Sequence, residues 1–274
     1  MRKKPKRRNL RPPSRCIFCG GGGVRGNPMS KEHLWPEWMH PYLPKIPNAR
    51  NWTAITLQTR DSMKTTRKKP QTGHVFTKQI KVVCKKCNET WMGDIEKNMK
   101  PILKPIVQGQ STIIDNDSLT KLAIWLTLKF LVADYDREAI PVATAKILSA
   151  FKNHQRMPSG LKIWIGYHNV FEWSAGYWSR GLFISFIPKA PTGRRRNNVK
   201  TTAFGAGHLF ALICLSLVDR VSLEIDNPFT AELWPATPAK INWPLPLLPL
   251  DGIATLANVL DDFEARPDVQ WGPV

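Results

Sequence analysis

Apolar residues are thinly scattered over the first hundred positions and gathered into longer runs after them. Residues 1–15 are charged and Pro-containing with no period, the signature of a disordered arm. Residues 57–74 are rich in Thr, Lys, Arg and Gln and nearly empty of apolar side chains, which predicts a loop or a flexible hairpin tip. Residues 75–83 are short and β-prone and predict a strand. Beyond Cys87, Trp91, Met92, Ile95 and Met99 recur at helical spacing and predict a helix start.

The second half has a different rhythm. Asp117 or Ser118 offers an N-cap to a helix over 119–134, apolar on most sides and therefore buried. A second helix is predicted over 141–155, with strands over 161–167 and 181–188 and one or two more over 199–218. Arg194 to Arg196 sit in a basic loop between strands, and 227–250 is Pro- and Trp-rich and irregular. A short helix near 253–263 closes the chain. The whole is α+β: a basic arm (1–15), a cysteine-bearing module (16–100) and a separate α+β domain (101–274) of open role.

Charge sharpens this division. Residues 1–100 hold 23 Lys and Arg against 6 Asp and Glu, so they carry nearly all of the formal net charge of +19. Basic residues clustered in one part of a chain suit a polyanion, nucleic acid first, because neutralising phosphates releases counterions. The basic candidates for DNA contact are the arm, the loop residues Lys64, Arg67, Lys68 and Lys69, and Lys85 and Lys86. Such contacts position a backbone and carry little sequence information. The basic N-terminus has no apolar core behind it, and the longest apolar run, 203–218, is broken by His208 and Ser216 and short for a bilayer span. The expectation is a soluble, cytoplasmic protein with no membrane partner.

Four of the five cysteines form two Cys-x-x-Cys pairs, Cys16/Cys19 and Cys84/Cys87, and the fifth, Cys214, lies in an apolar run as a core thiol. Without a secretory signal, two such pairs argue for a metal site rather than disulfides. Four thiolates suit tetrahedral Zn²⁺ and leave no open position for water, so the ion is structural. A polar module with few large aliphatic residues needs such a staple.

Beside the pairs stand Glu32-His33-Leu34-Trp35-Pro36 and, directly after Cys87, Asn88. This order of Cys-x-x-Cys, acidic-His-x-x-Pro and Cys-x-x-Cys-Asn resembles the zinc-bearing members of the HNH, or ββα-metal, endonuclease superfamily. The resemblance covers roughly residues 14–100. It implies a zinc-stapled ββα-metal module that hydrolyses DNA, or RNA, with one Mg²⁺ or Mn²⁺ ion. It also implies His33 as general base, with Glu32 and Asn88 as ligands of the catalytic ion. The family often carries an Asn five residues before the third Cys; Gln79 stands there here. The gap from His33 to Cys84 is long for the family and implies an extended hairpin or inserted loop.

The chemistry agrees with the residue types. Histidine, with an ordinary pKa of about 6.5, is largely neutral at cellular pH and free to take a proton. A hard cation prefers oxygen ligands, and one carboxylate with one amide oxygen leaves room for phosphate oxygens. Adjacent residues on an extended strand point to opposite faces, so Glu32 and His33 require a bend to act together. Glu96 is a candidate support residue, His40 and His74 are candidate extra ligands, and Trp35 and Trp38 are assigned to packing against the module. The competing function is a zinc-ribbon nucleic-acid-binding protein without catalysis, which leaves Glu32, His33 and Asn88 unexplained.

Overall fold

The computed structural model describes residues 13–45, 50–51, 54–59, 62–67, 71–136, 141–185, 197–260 and 270–271. Lys68, Lys69, most of the basic arm and Arg194 to Arg196 lie outside these residues, as does the end of the helix expected over 253–263.

Strand β1 (Met29–His33) is followed by a 3-10 turn over Glu37–Tyr42, then by a hairpin of β2 (Ala54–Thr59) and β3 (Ser62–Arg67) where the sequence predicts a loop or hairpin tip. The expected strand at 75–83 splits: Val75–Thr77 is a 3-10 turn and β4 is Gln79–Cys84. Strand β4 pairs antiparallel with β1, and it carries an extra residue where the register shifts between Ser30 and Glu32. A turn at Lys85–Cys87 and a π-turn at Asn88–Met92 lead directly into helix α1 (Gly93–Val107). Ile95, Met99, Leu103 and Ile106 on one face of α1 are buried, the outcome that helical spacing of apolar residues requires.

Strand β5 (Thr112–Asp115) leads into helix α2 (Asn116–Ala133). Its cap is Asp115, not the expected Asp117 or Ser118: the Asp115 carboxylate accepts the Ser118 N–H at 2.8 Å. Thr144 likewise caps helix α3 (Ala145–His154). The longer strands that follow are β6 (Leu161–Tyr167), β7 (Tyr177–Leu182), β8 (Val199–Ala206), β9 (Leu209–Ser216), β10 (Thr230–Trp234) and β11 (Lys240–Trp243), with helix α4 (Leu250–Ala257) after them. The expected strand over 181–188 begins earlier, and the stretch expected to be irregular contains β10 and β11. Five strands form one antiparallel sheet in the order β10-β6-β9-β8-β7. Gly207, at φ +59 in the β8–β9 turn, sits so close to the Val107 carbonyl that a Cβ would meet its oxygen at 2.1 Å.

Helix α2 is buried on nearly every side because it packs against α1, against β4 and against the five-stranded sheet. One apolar cluster runs unbroken from Cys16 through α1 and α2 to Trp243. Trp35 spans the same junction: its ring stacks on Phe204 at 5.1 Å, and its indole N–H donates to the Gly205 carbonyl at 2.8 Å. The assembly is α+β, and among the described residues no helix is long and apolar enough to cross a membrane.

His168, just after β6, is fully buried, and its Nδ1 accepts the Val170 N–H at 3.1 Å. Burial drives its pKa down to about 4. The unfolded chain therefore takes up this proton first, near pH 6.5. Stability is complete above that pH and falls as pH drops toward the folded-state value, by about 3 kcal/mol at roughly 1.4 kcal/mol per unit. Urea midpoints at neutral pH and near pH 4 are expected to separate clearly less in His168→Gln than in the wild type. Equal separations would remove this assignment.

Candidate metal centre and the Glu32–His33 strand

The first cysteine pair sits in a tight turn. Cys16 N–H donates to the Gly21 carbonyl at 2.7 Å, and Gly20 N–H returns to the Cys16 carbonyl at 2.9 Å. The turn is tied to β4 by Ile17 N–H donating to the Val82 carbonyl at 3.0 Å. Gly22, at φ +88, passes so near the second pair that a Cβ would meet the Cys84 Cβ at 2.5 Å. The second pair closes β4 and opens the helical turn, where Lys85 N–H reaches the Pro28 carbonyl at 2.9 Å. The expected four-cysteine site is thereby assembled: the Sγ atoms of Cys16, Cys19, Cys84 and Cys87 all lie within 4.8 Å of one another.

These four sulfurs fit a tetrahedral ion. Metal–sulfur bonds of about 2.3 Å place tetrahedral sulfurs roughly 3.8 Å apart, and Cys19 Sγ lies 3.7 Å from Cys84 Sγ. Burial opposes ionisation of Cys84, but bonds from the Cys87 main chain, the Asn27 side chain and the neighbouring thiols outweigh it and bring the pKa to about 7. Burial pushes Cys16 and Cys87 up. A cation reverses that cost, since a thiol that coordinates a metal ion is deprotonated. Cys214, the fifth, is buried on β9 with its pKa raised to about 12 by burial, as a core thiol should be.

On β1 the pleat places neighbours apart. Glu32 is buried and His33 is half-exposed. His33 pairs across the strands with Gln79, and its Nε2 lies 2.5 Å from the Gln79 side-chain amide. The Glu37 carboxylate is 3.5 Å from the same nitrogen, and the His40 ring is 5.9 Å away, centroid to centroid. Burial first, then the His40 and Lys129 charges, pull the His33 pKa below its ordinary value, while Glu37 opposes them. His40 itself bonds the Trp35 carbonyl at 3.0 Å, and His74 stacks on Phe76.

The Glu32 carboxylate turns inward to Lys129 of α2, with Nζ to Oε1 at 2.6 Å. The same ammonium donates to the His33 main-chain carbonyl at 2.8 Å and ion-pairs with Glu96 of α1. Burial, reinforced by the nearby Glu96 charge, leaves the Glu32 carboxyl above its ordinary value although the Lys129 charge pulls the other way; two carboxylates around Lys129 outweigh its burial and hold it as an ammonium. Asn88 donates its side-chain N–H to Ser30 Oγ at 3.1 Å, and its Oδ1 has no hydrogen-bond partner among the described residues. The side chains of Glu32, His33 and Asn88 thus have different partners and no hydrogen bond or ion pair with one another, while Lys129 is shared by Glu32 and the His33 main chain.

Sequence reasoning left Lys129 out. The available signal was a single charged residue in the otherwise uncharged run from Leu122 to Ala133. Glu96 is brought to Glu32 through that lysine. Lys85 and Lys86 are exposed, as are Lys31 and Lys81 on the outer side of β1 and β4. Compared with protein-family models, with curated proteins and with solved structures, the chain matches none.

Purified protein is expected to carry one ion per chain, measured by elemental analysis, and to give the intense visible absorption of tetrahedral thiolate ligation when refolded with Co²⁺. Cys87→Ser is expected to lose both signals, and Gly22→Val to weaken both because its side chain strikes Cys84. An unchanged metal content in Cys87→Ser would show that the sulfurs do not share an ion.

Proposed function

We propose that this protein is a metal-dependent endonuclease of the HNH type that hydrolyses DNA, with His33 as the general base. The observation that carries the reading is the arrangement of its motif residues on two antiparallel strands and the helix that follows them. His33 ends β1 opposite Gln79 of β4, while Asn88 opens the helical segment after the fourth cysteine. The reading assigns a structural zinc to the four cysteines.

His33 has the features a base requires. Its lowered pKa keeps the imidazole neutral. The Gln79 amide occupies Nε2 and leaves Nδ1 without a partner among the described residues. For Nδ1 to accept a proton from water, Nε2 must hold the ring proton and donate it. The Gln79 amide supplies that acceptor when its oxygen faces the ring, a half-turn that the positions of the heavy atoms leave open. In this reading Gln79 orients the His33 ring from the facing strand.

A divalent ion such as Mg²⁺ or Mn²⁺, when bound, stabilises negative charge on the phosphoryl and leaving oxygens. The residues that would hold it are Glu32, through the oxygen that Lys129 does not take, and Asn88, through Oδ1. Ser30, which holds Asn88, and Glu32 alternate along β1, so their side chains are separated by about 7 Å, two strand repeats. Exposed Lys31 and Lys81 on the outer side of β1 and β4, with exposed Lys85 and Lys86 after β4, give this module the charge that a phosphate backbone attracts.

One observation favours a second reading, a nucleic-acid-binding protein without catalysis: Lys129 already neutralises Glu32. A single assay separates the two. Under the nuclease reading, supercoiled plasmid is nicked in the presence of Mg²⁺ or Mn²⁺ and not with chelator. His33→Ala stays folded and binds DNA but loses nicking, and Gln79→Ala slows it by about 10²-fold, the lower range for losing a positioned acid–base partner. Plasmid left intact by wild-type protein with either ion, under conditions where it binds DNA, would leave the binding reading standing.

A further inference from the structure

We propose that Lys129, carried by helix α2, is a positioning residue for the Glu32–His33 pair, fixing the Glu32 carboxylate and the His33 main chain with one ammonium group. The proposal rests on the nuclease reading for its kinetic consequence but not for its structural one.

The geometry is specific. Lys129 Nζ has three acceptors: Glu32 Oε1 at 2.6 Å, the His33 carbonyl at 2.8 Å and the Glu96 carboxylate. Two of them belong to consecutive residues of β1 and the third to α1, so the ammonium ties strand to helix. Its side chain is 3% exposed, with the Trp125 ring 5.7 Å from Nζ. A charge at that depth is a poor source of stability, because a well-packed apolar residue often does as well or better. Its worth lies in direction. With Glu32 drawn inward and the His33 carbonyl held from the same side, the pleat sends the His33 imidazole outward to Gln79. Without the ammonium, the buried Glu32 carboxylate faces the half-buried Glu96 carboxylate, and the hydrogen bond that holds the His33 carbonyl from within is lost.

A second buried pair offers the control. Lys200 of β8 meets Asp134 at 2.7 Å with both side chains enclosed, and neither side chain hydrogen-bonds or ion-pairs with Glu32 or His33. Lys200→Met therefore reports the cost of losing a buried ion pair without touching β1.

The test compares Lys129→Met with Lys200→Met in full-length protein. The first readout is the imidazole ¹⁵N resonances of His33, assigned by their loss in His33→Gln. Lys129→Met is expected to move them toward those of an unpartnered imidazole, while Lys200→Met leaves them in place. The second readout is nicking. In Lys129→Met, kcat is expected to fall about 10–100-fold, the usual effect of removing the support behind a metal-ligating group, with KM little changed. Wild-type His33 resonances in a folded Lys129→Met would overturn the proposal. Should Lys129→Met not fold, Glu32→Gln/Glu96→Gln/Lys129→Met removes all three charges together, leaves no orphaned carboxylate and is read by the same resonances. Wild-type protein that fails to nick defeats the nuclease reading alone, since the resonances still decide whether Lys129 positions His33.

Discussion

Four sulfurs within 4.8 Å of one another form the point at which a shared ion would hold the first third of this chain together. Cys19 and Cys84 are 65 residues apart in sequence, and the segment between them has little apolar surface of its own. Closing so long a loop costs chain entropy that a single cross-link removes from the unfolded state, and the gain grows only slowly with length. The link therefore acts less as bulk stabilisation than as a registration device. It sets the glycine-rich turn against the end of β4, and the end of β4 sets both the partner residues of β1 and the first turn of the helix. Gly22 follows from this: the turn approaches Cys84 at a distance that only a residue without Cβ allows.

A second constraint works from inside. Helix α2 is enclosed by α1, β4 and the five-stranded sheet, and its single buried cation faces Glu32 and Glu96. Trp35, three residues beyond Glu32, enters the sheet side through Phe204 and Gly205. Lys78, just before β4, meets Asp136 after α2, and Tyr177 of β7 donates to the same carboxylate. Polar contacts at three points thus join the cysteine-bearing strands to the larger sheet, over an apolar cluster with no break between them. The strand carrying His33 is consequently oriented by both parts of the chain.

What the sequence made legible was local. Two-residue gaps between cysteines and an apolar helix over 119–134 are patterns within a few turns of chain, and each has its counterpart in the structure. The cap of α2 was missed by two or three residues because Asp115, Asp117 and Ser118 are all good caps, and only the end of β5 decides among them. The strands after 227 were hidden by Pro and Trp, whose local preferences are weaker than the pairing that β6 and β5 impose on them. Lys129 was illegible for another reason. Its partners lie 97 and 33 positions away in sequence, and a lone lysine in an apolar run announces burial without naming what neutralises it.

The pleat of β1 raises the question that any chemistry at this site must answer. Glu32 faces the interior and His33 the outside, so a carboxylate and an imidazole from adjacent residues look in opposite directions. A substrate touching only the outer face would meet His33, Lys31 and Lys81 and never reach Glu32. At the end of the strand the two faces converge. His33 is the last residue of β1, and the chain turns away at Leu34-Trp35-Pro36 into a 3-10 segment. A phosphate reaching round that end in the proposed reaction would meet His33 first, while Asn88 stands with Ser30 two positions back along β1 from Glu32. In the proposed reaction this makes the bend after His33, and not the strand itself, the element that joins base to metal ligand. Trp35, buried beneath that bend and bonded to Gly205, is what keeps it in place.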